Sequence, residues 1–429
     1  MEHTQSTAKA LVVEKKKNIF ITGGAGVGKT YIMKEILSAL RDEDVKVKVV
    51  APTGISAIPL KGSTINSAFR IPFDTILSVD AILKSSRNQK VRASWHKVET
   101  IIVEEISMVS RFAFSNMDRL LREIMKVDSP FGGLQVVVIG DFFQLPPIVQ
   151  DIGEHLSYHD RNKIFAFYSP VWRELEFDTV YLTKKYRQAK QDKLITILDN
   201  IRASINQEET EELLKMAMKH EVPSDGDFSR LMTHNRTVDN INKEELDKNP
   251  NKLHTFTSRE TGFTDHIPKN SLVTRSLEVK KGCRVMTIQN AQDGEYVNGS
   301  IGVVESFSST GGVTIALDTG AKVYIEKSEF ASKEEVKKGI SFKQLPLKVA
   351  HAITIHKSQG MSIDGKCLLD LSEAFEAGQG YVALSRLTKF DNLLLTGYCQ
   401  KALEMNDIIK VADKKMLEAS KRSFKRNLI

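Results

Sequence analysis

The residues best equipped for chemistry are Gly23-Gly24-Ala25-Gly26-Val27-Gly28-Lys29-Thr30, which match the pattern G-x-x-x-x-G-K-[ST]. They follow a short apolar run and open a helical pattern, the context in which such a loop cradles phosphate. Glycine lets successive backbone N–H groups curl around phosphate oxygens, and the positive end of the following helix favours the anion. In that chemistry Lys29 reaches the β- and γ-phosphates and the Thr30 hydroxyl ligates Mg²⁺. The spacing therefore predicts binding of a nucleoside triphosphate with Mg²⁺.

Cleaving such a substrate takes an acid for the metal shell and a carboxylate to align the attacking water. Ile101-Ile102-Val103-Glu104-Glu105-Ile106-Ser107 offers both where an apolar strand ends, with Glu104 placed for the metal and Glu105 for the water. Without the glycine loop, the same pair reads equally well as two solvated acids at a strand end. A third apolar run, Val136 to Ile139, leads into Gly140-Asp141-Phe142-Phe143-Gln144-Leu145-Pro146-Pro147. That run places Gln144 near a terminal phosphate; the alternative is that its Phe and Pro residues only pack the loop.

Those side chains need a frame. Through the first 180 or so residues short apolar strands alternate with helical patterns, as in a parallel sheet flanked by helices. Expected strands are Asn18 to Thr22, Val45 to Val50, Thr100 to Val103, Gln135 to Ile139 and Thr179 to Leu182, and Ile32, Met33, Ile36, Leu37 and Leu40 recur at helical spacing. From 252 to 342 the pattern changes to short strands at Arg284 to Gln289, Ser300 to Phe307, Val313 to Leu317 and Lys322 to Ile325, separated by glycine turns. This predicts a small all-β module interrupting a second α/β region. The C-terminal stretch is helical and basic.

The 429 residues suffice for about three domains of ordinary size, and 41% hydrophobic with 27% charged residues excludes a wholly disordered, collagen-like or coiled-coil chain. A net charge of +7 suits a polyanionic partner without requiring one. The three cysteines, Cys283, Cys367 and Cys399, are widely spaced and form no metal or disulfide pattern. With no leader-like segment and no long apolar run, the expected setting is cytoplasmic or nuclear, away from membranes.

With three motifs in order, the chain resembles the Pif (petite integration frequency) family of superfamily-one DNA helicases, and more distantly the RecD and phage Dda helicases. Further matches are Ala51-Pro52-Thr53-Gly54-Ile55-Ser56-Ala57, Gly62 to Phe69, the family-distinguishing stretch Asp118 to Gln135, Leu182 to Gln188, Ile353 to Gly360, and Tyr381-Val382-Ala383-Leu384-Ser385-Arg386. The resemblance implies two tandem RecA-like parallel-sheet domains in an α/β fold, with a wedge insertion in the first and a β-barrel insertion in the second. Its boundaries are residues 1–182 for the first domain with the wedge at 70–97, 183–251 and 343–400 for the second, 252–342 for the barrel, and 401–429 for the basic tail.

By the same resemblance Gln5 reads the adenine, Arg187 and Arg386 approach the γ-phosphate, and Gly360 lines the nucleotide site with the glycine loop. Pro52, Thr53, Gly54, Thr64, Asn66, Phe69, His356 and Lys357 are implied contacts for single-stranded DNA. The implied activity is ATP-driven 5′-to-3′ translocation that unwinds forked or structured DNA, by a protein monomeric when free. Two departures stand out: Glu104 occupies a position usually held by Asp, and Asn66 one usually held by His. Two rivals stay open, a DNA-stimulated translocase that strips proteins but unwinds duplex poorly, and a nucleotide-gated clamp whose hydrolysis is impaired by Glu104.

Overall fold

A computed structural model describes residues 5–427 except 58–59, 71–75, 148, 150–162, 186–191, 224–227, 266, 269–271, 292–293, 297, 332–335, 338 and 364. The chain divides into two compact units, one of residues 1–224, 359–366 and 370–429, the other of 225–358 and 367–369. Among the described residues no helix is long and apolar enough to cross a membrane.

The first unit is built on six strands, β1 (Ile19–Gly23), β2 (Val47–Ala51), β3 (Ser63–Thr64), β4 (Thr100–Val103), β5 (Gln135–Ile139) and β6 (Asp178–Leu182), in the order β3-β2-β4-β5-β1-β6. All neighbouring pairs are parallel. Every residue of β1 and β4 is buried, as expected when helices cover both faces of a parallel sheet. The five expected strands appear within two residues of their predicted ends. Helices α1 (Gln5–Val13) and α2 (Lys29–Asp42) pack on this sheet, and Ile32, Met33, Ile36, Leu37 and Leu40 are all in its core.

Three further helices position the site: α3 (Arg111–Met125), α4 (Lys193–Ala203) and α5 (Gln379–Arg386). The last helix, α6 (Asp407–Asn427), lies along β6, the outer strand of the sheet. There the Ser420 hydroxyl accepts the Tyr181 N–H at 3.0 Å, and the Ser423 hydroxyl donates to Asp178 at 2.9 Å. Arg426 also pairs with Asp178. An exposed sheet edge would be a template for unwanted pairing, so this stretch is first a structural cover. Its Lys414, Lys415, Lys421, Arg422 and Lys425 remain exposed on the other face.

The described part of the expected wedge insertion holds two short helices, Val79–Ser86 and Gln89–Trp95. Trp95 anchors them, fully buried, with its indole N–H on the Ala68 carbonyl at 3.2 Å. The stretch that distinguishes the resembled family folds as a tight turn after α3. Phe131 and Gly132 both have positive φ, and the Asp118 carboxylate receives the Phe131 N–H at 2.7 Å while the Arg122 guanidinium donates to it at 2.9 and 3.0 Å. A side chain at Gly132 would meet the Leu121 carbonyl at 2.7 Å, so only glycine fits.

In the second unit Ser229–Met232 is flanked in parallel by Ile353–Thr354 and by Cys367 to Leu369. The remainder is antiparallel. Its largest sheet orders Lys322–Ile325, Val313–Leu317, Ile301–Phe307, Arg284–Thr287 and Leu347–Val349. The β module thus extends beyond residue 342, because Val349 pairs with Val285 to supply an edge strand. Alternating burial along Val313–Leu317 and Lys322–Ile325 directs Val313, Ile315, Leu317, Val323 and Ile325 into a core with Val279, Val285 and Leu345.

Candidate nucleotide site

The glycine loop lies at the carboxyl ends of the parallel strands, where open α/β sheets bind ligands. Gly26 and Gly28 have φ of 77° and 79°, and Gly28 caps α2 in the left-handed conformation. Gly23 is enforced by space, since a Cβ there would stand 2.4 Å from the Leu182 carbonyl oxygen. Lys29 Nζ donates to the Gly23 and Gly24 carbonyls at 2.8 and 2.9 Å, which holds it over the loop. Desolvation pushes the Lys29 ammonium below its ordinary range, against the charges of Asp141, Glu105 and Glu104.

A cleft of about 340 Å³ is lined by Ala25 to Thr30, Glu104, Glu105, Gly140, Gln144, Gly360 to Ser362, Ser385 and Arg386. That size falls among small-molecule sites. The sequence therefore brings Lys29, Thr30, Glu104, Glu105, Gln144, Gly360 and Arg386 to one cavity, although Lys29 and Arg386 are separated by most of the chain. A larger cleft, about 620 Å³, lies at the entry end of β2 between Arg41, Lys46, Arg92 and Lys97 and contains none of the residues expected to touch nucleotide or DNA.

Two atoms in the smaller cleft have unmet needs. Glu104 Oε2 and Gln144 Oε1 are buried with no hydrogen-bond partner. Buried acceptors are almost always paired, so two orphans facing one cavity indicate a ligand that satisfies them. Desolvation raises the Glu104 carboxyl well above the usual range, reinforced by Glu105 and opposed by Lys29. Glu105 is also raised by desolvation, with Arg386 and Lys29 opposing. Its backbone is itself unusual: φ is 51°, a conformation that costs a non-glycine residue about 1–3 kcal/mol. Gly140 makes room for that turn, because a Cβ at 140 would meet the Ile106 nitrogen at 2.9 Å.

Arg386 ends α5 inside the cleft, 6% exposed, its guanidinium oriented by the Val382 carbonyl at 3.1 Å, the Met361 carbonyl at 3.3 Å and the Ser385 hydroxyl at 2.8 Å. Gln5 lies beside the loop, its amide donating to the Val27 and Gly28 carbonyls at 3.4 and 3.3 Å. Arg187 lies outside the described residues.

The expected DNA contacts separate into kinds. Thr53 shares a 3.0 Å hydrogen bond with Ser56, Pro52 is half-buried and Gly54 is buried beside them. Thr64 caps the short helix Ile65–Phe69 by accepting the Ser67 N–H, leaving Asn66 exposed. Phe69 corrects the expectation: it is fully buried and stacks on Trp95 at 4.6 Å, so it offers no face to a base and serves the core. In the second unit His356 and Lys357 form a short turn after Ile353–Thr354, both half-buried, with the Lys357 ammonium lowered by desolvation and by Lys348.

Sequence reasoning passed over Arg202. Its guanidinium donates to Asp141 at 2.6 Å and to Tyr181 at 2.9 Å, contacts Asp413 at 3.2 Å, and lies 4.2 Å from the centre of the Phe143 ring. Burial alone would raise Asp141, but the charges of Arg202 and Lys29 and hydrogen bonds from Arg202 and Tyr381 hold it below the usual carboxylate range.

A glycine loop at the edge of a parallel sheet, two acids after a neighbouring strand and a buried arginine in the same cleft define a P-loop nucleotide-binding protein of RecA-like architecture. The model of the PIF1-like helicase family matches residues 3–209. The ATP-dependent DNA helicase Pif1 of Psychrobacter sp. is 31% identical over 95% of this chain and 70% of its own length, and ATP-dependent DNA helicase PIF1 of Xenopus laevis 32% identical over 94% and 63%. The chain thus spans less than two thirds of the Xenopus protein. The crystal structure of Pif1 helicase from Bacteroides in complex with ADP-AlF3 and ssDNA superposes with a TM-score of 0.80 at 29% identity, covering 97% of this chain and 96% of that one. This chain belongs to the PIF1-like helicase family.

Proposed function

We propose that the chain is an ATP- and Mg²⁺-dependent DNA helicase that moves 5′ to 3′ along single-stranded DNA and opens forked or structured duplex. The observation that carries this reading is Arg386 in the cleft with Lys29, Glu105 and Gln144. Lys29 neutralises the β- and γ-phosphates, Glu105 aligns the attacking water and accepts its proton, Gln144 bonds the terminal phosphate, and Arg386 with Arg187 balances charge as the γ-phosphoryl group leaves. The chemistry of the donor set fits a hard cation: the Thr30 hydroxyl and the orphaned Glu104 oxygen face the cleft, and phosphate oxygens and water would complete an oxygen shell. Mg²⁺ held there supplies charge neutralisation of the phosphates. Gln5 is assigned to the adenine.

The domains proposed are residues 1–182 with the wedge at 70–97, then 183–251 and 343–400, with the β insertion at 252–342, to whose sheet Leu347–Val349 of the second domain adds an edge strand. ATP then has higher affinity when Arg386 stands over the P-loop than when it does not, which is the requirement for driving a conformational cycle. Thr53, Thr64, Asn66, His356 and Lys357 are the proposed strand contacts, suited to phosphates through hydroxyls, an amide, an imidazole and an ammonium.

Strand displacement on forks tailed at the 5′ or the 3′ end, with ATP hydrolysis followed in parallel, tests this. Displacement from the 5′ tail alone, with hydrolysis raised by single strands, is expected. Stimulated hydrolysis without displacement would make the protein a translocase, and tight DNA binding without stimulated hydrolysis a clamp.

A further inference from the structure

Helix α5 carries two groups that reach the phosphate loop by different routes. Arg386 at its last turn enters the cleft, and Tyr381, five positions earlier and about 7.5 Å back along the axis, touches the loop from behind. The Tyr381 ring is 1% exposed. Its hydroxyl accepts the Ala25 N–H at 3.0 Å and donates to Asp141 Oδ2 at 2.9 Å, with Arg202 Nη1 at 3.3 Å. Arg202 holds the other Asp141 oxygen at 2.6 Å, and the Tyr181 hydroxyl, which itself donates to Asp413 at 2.9 Å, receives the opposite side of the guanidinium. The Tyr381 hydroxyl, both Asp141 oxygens and both terminal nitrogens of Arg202 are paired, so the cluster has one well-defined arrangement. All eight residues of α5 are buried, and Gly380 lets it close on its neighbour, since a Cβ there would stand 2.2 Å from the Ala402 carbonyl oxygen. A buried helix fixed at one end transmits that position to the other.

We infer that Tyr381, clasped by Asp141 and Arg202, is a positioning residue that fixes Arg386 against the terminal phosphate, so that this clasp sets the protein's preference for a triphosphate over a diphosphate. The inference rests on the nucleotide reading above and adds a residue class to it: groups that touch no phosphate yet decide whether the third one is sensed. Tyr381→Phe is the sharpest probe, because it keeps the buried ring and removes only the hydroxyl that joins Ala25 to Asp141.

The experiment is fluorescence titration of the full chain with a labelled non-hydrolysable ATP analogue and with labelled ADP, in Mg²⁺ buffer, for the wild type, Arg386→Ala, Tyr381→Phe and the double variant. A wild type favouring the analogue is expected, with the preference reduced roughly tenfold in Arg386→Ala, as for loss of a hydrogen bond to a charged group. Tyr381→Phe should lose a similar factor with ADP affinity unchanged, and in the Arg386→Ala background it should add nothing. Should Tyr381→Phe fail to fold, Arg202→Gln, which leaves the Tyr381 hydroxyl in place, is expected to lose the preference in the same direction by less. Retention of the wild-type preference by the folded variant, or losses that multiply in the double variant, would overturn the clasp while leaving the nucleotide site standing. A wild type that binds neither nucleotide would remove both.

Discussion

Phe131 and Glu105, both in turns of the first unit, each hold the left-handed region with a side chain, and their surroundings treat that strain differently. At Phe131, φ is 53°, and the Asp118 carboxylate pays for it by taking the Phe131 N–H while Arg122 saturates its oxygens. At Glu105, φ is 51°, and the adjacent Glu104 oxygen has no partner. Both turns store backbone strain, but only the first balances it locally. Strain with every polar group satisfied fixes a shape; strain beside orphaned acceptors keeps a site ready for something that arrives later. Substitutions should therefore separate activity from stability along this division.

The largest effect is expected at the unsatisfied turn. Glu105→Gln and Lys29→Ala should each lower DNA-stimulated ATP hydrolysis by roughly 10²–10³-fold, the range seen when a charge-stabilising group is removed from a transition state. Thermal melting should fall far less than activity, since neither side chain belongs to the hydrophobic core. A melting temperature that falls in step with activity would mean that these residues hold the fold.

The mirror image is Asp118→Ala. It strips the Phe131 N–H of its acceptor and leaves Arg122 with Asp128 and Glu174, at 3.1 and 2.7 Å. A buried donor left unpaired costs about 1–3 kcal/mol, and loss of the carboxylate from a half-buried ion pair adds to it. Urea unfolding should show a loss of roughly 2–3 kcal/mol, and hydrolysis per folded molecule should stay within twofold of the wild type. A large fall in the turnover of folded protein would erase the distinction between the two turns.

A smaller change tests the length of the metal-strand acid. Glu104→Asp withdraws the orphaned oxygen by one methylene, toward the geometry usual in the family. Hydrolysis is expected to stay the same or rise, by less than about tenfold, because Mg²⁺ needs near-octahedral oxygens and a shorter acid leaves room for water. A loss beyond tenfold would show that the cleft is shaped around glutamate.

The division also explains what could be read from the sequence. Lys29, Glu104, Glu105 and Gln144 were legible because each lies in a short segment that follows an apolar strand, and strand ends are visible as breaks in apolar runs. The core face of α2 was legible because five apolar residues share one period. Phe69 was not, since spacing cannot distinguish a ring stacked on Trp95 from one offered to a base. Arg202 and Tyr381 escaped as a pair because their meeting point, Asp141, lies 61 and 240 residues away, and no local pattern encodes contacts of that range. The tail's docking was hidden by its composition: its many lysines and arginines made it legible as a basic helix, while the residues that dock it, Asp413, Ser420 and Ser423, are the inconspicuous ones.

The second unit supplies a third case, smallest in effect, that limits the rule about orphaned atoms. His351 Nε2 is also buried without a hydrogen-bond partner, but it belongs to none of the site positions proposed above. Burial pushes its imidazole down to about 4, with Glu245 opposing and Arg230 and Arg284 reinforcing. The folded unit therefore binds a proton less readily than the unfolded chain, whose histidine titrates near 6.5. Its contribution to stability is complete above about pH 6.5 and is lost as the pH falls toward 4, because the unfolded state gains the proton first. Allowing for its partial exposure, roughly 1 kcal/mol should disappear across that window. Urea unfolding followed at pH 7.5 and pH 5 should show this loss in the wild type and a smaller one in His351→Gln, with ATP hydrolysis at pH 7.5 unaffected. Equal pH dependence in the two proteins would mean that the imidazole is solvated after all; a fall in hydrolysis would mean that this orphan, like the one on Glu104, answers to function.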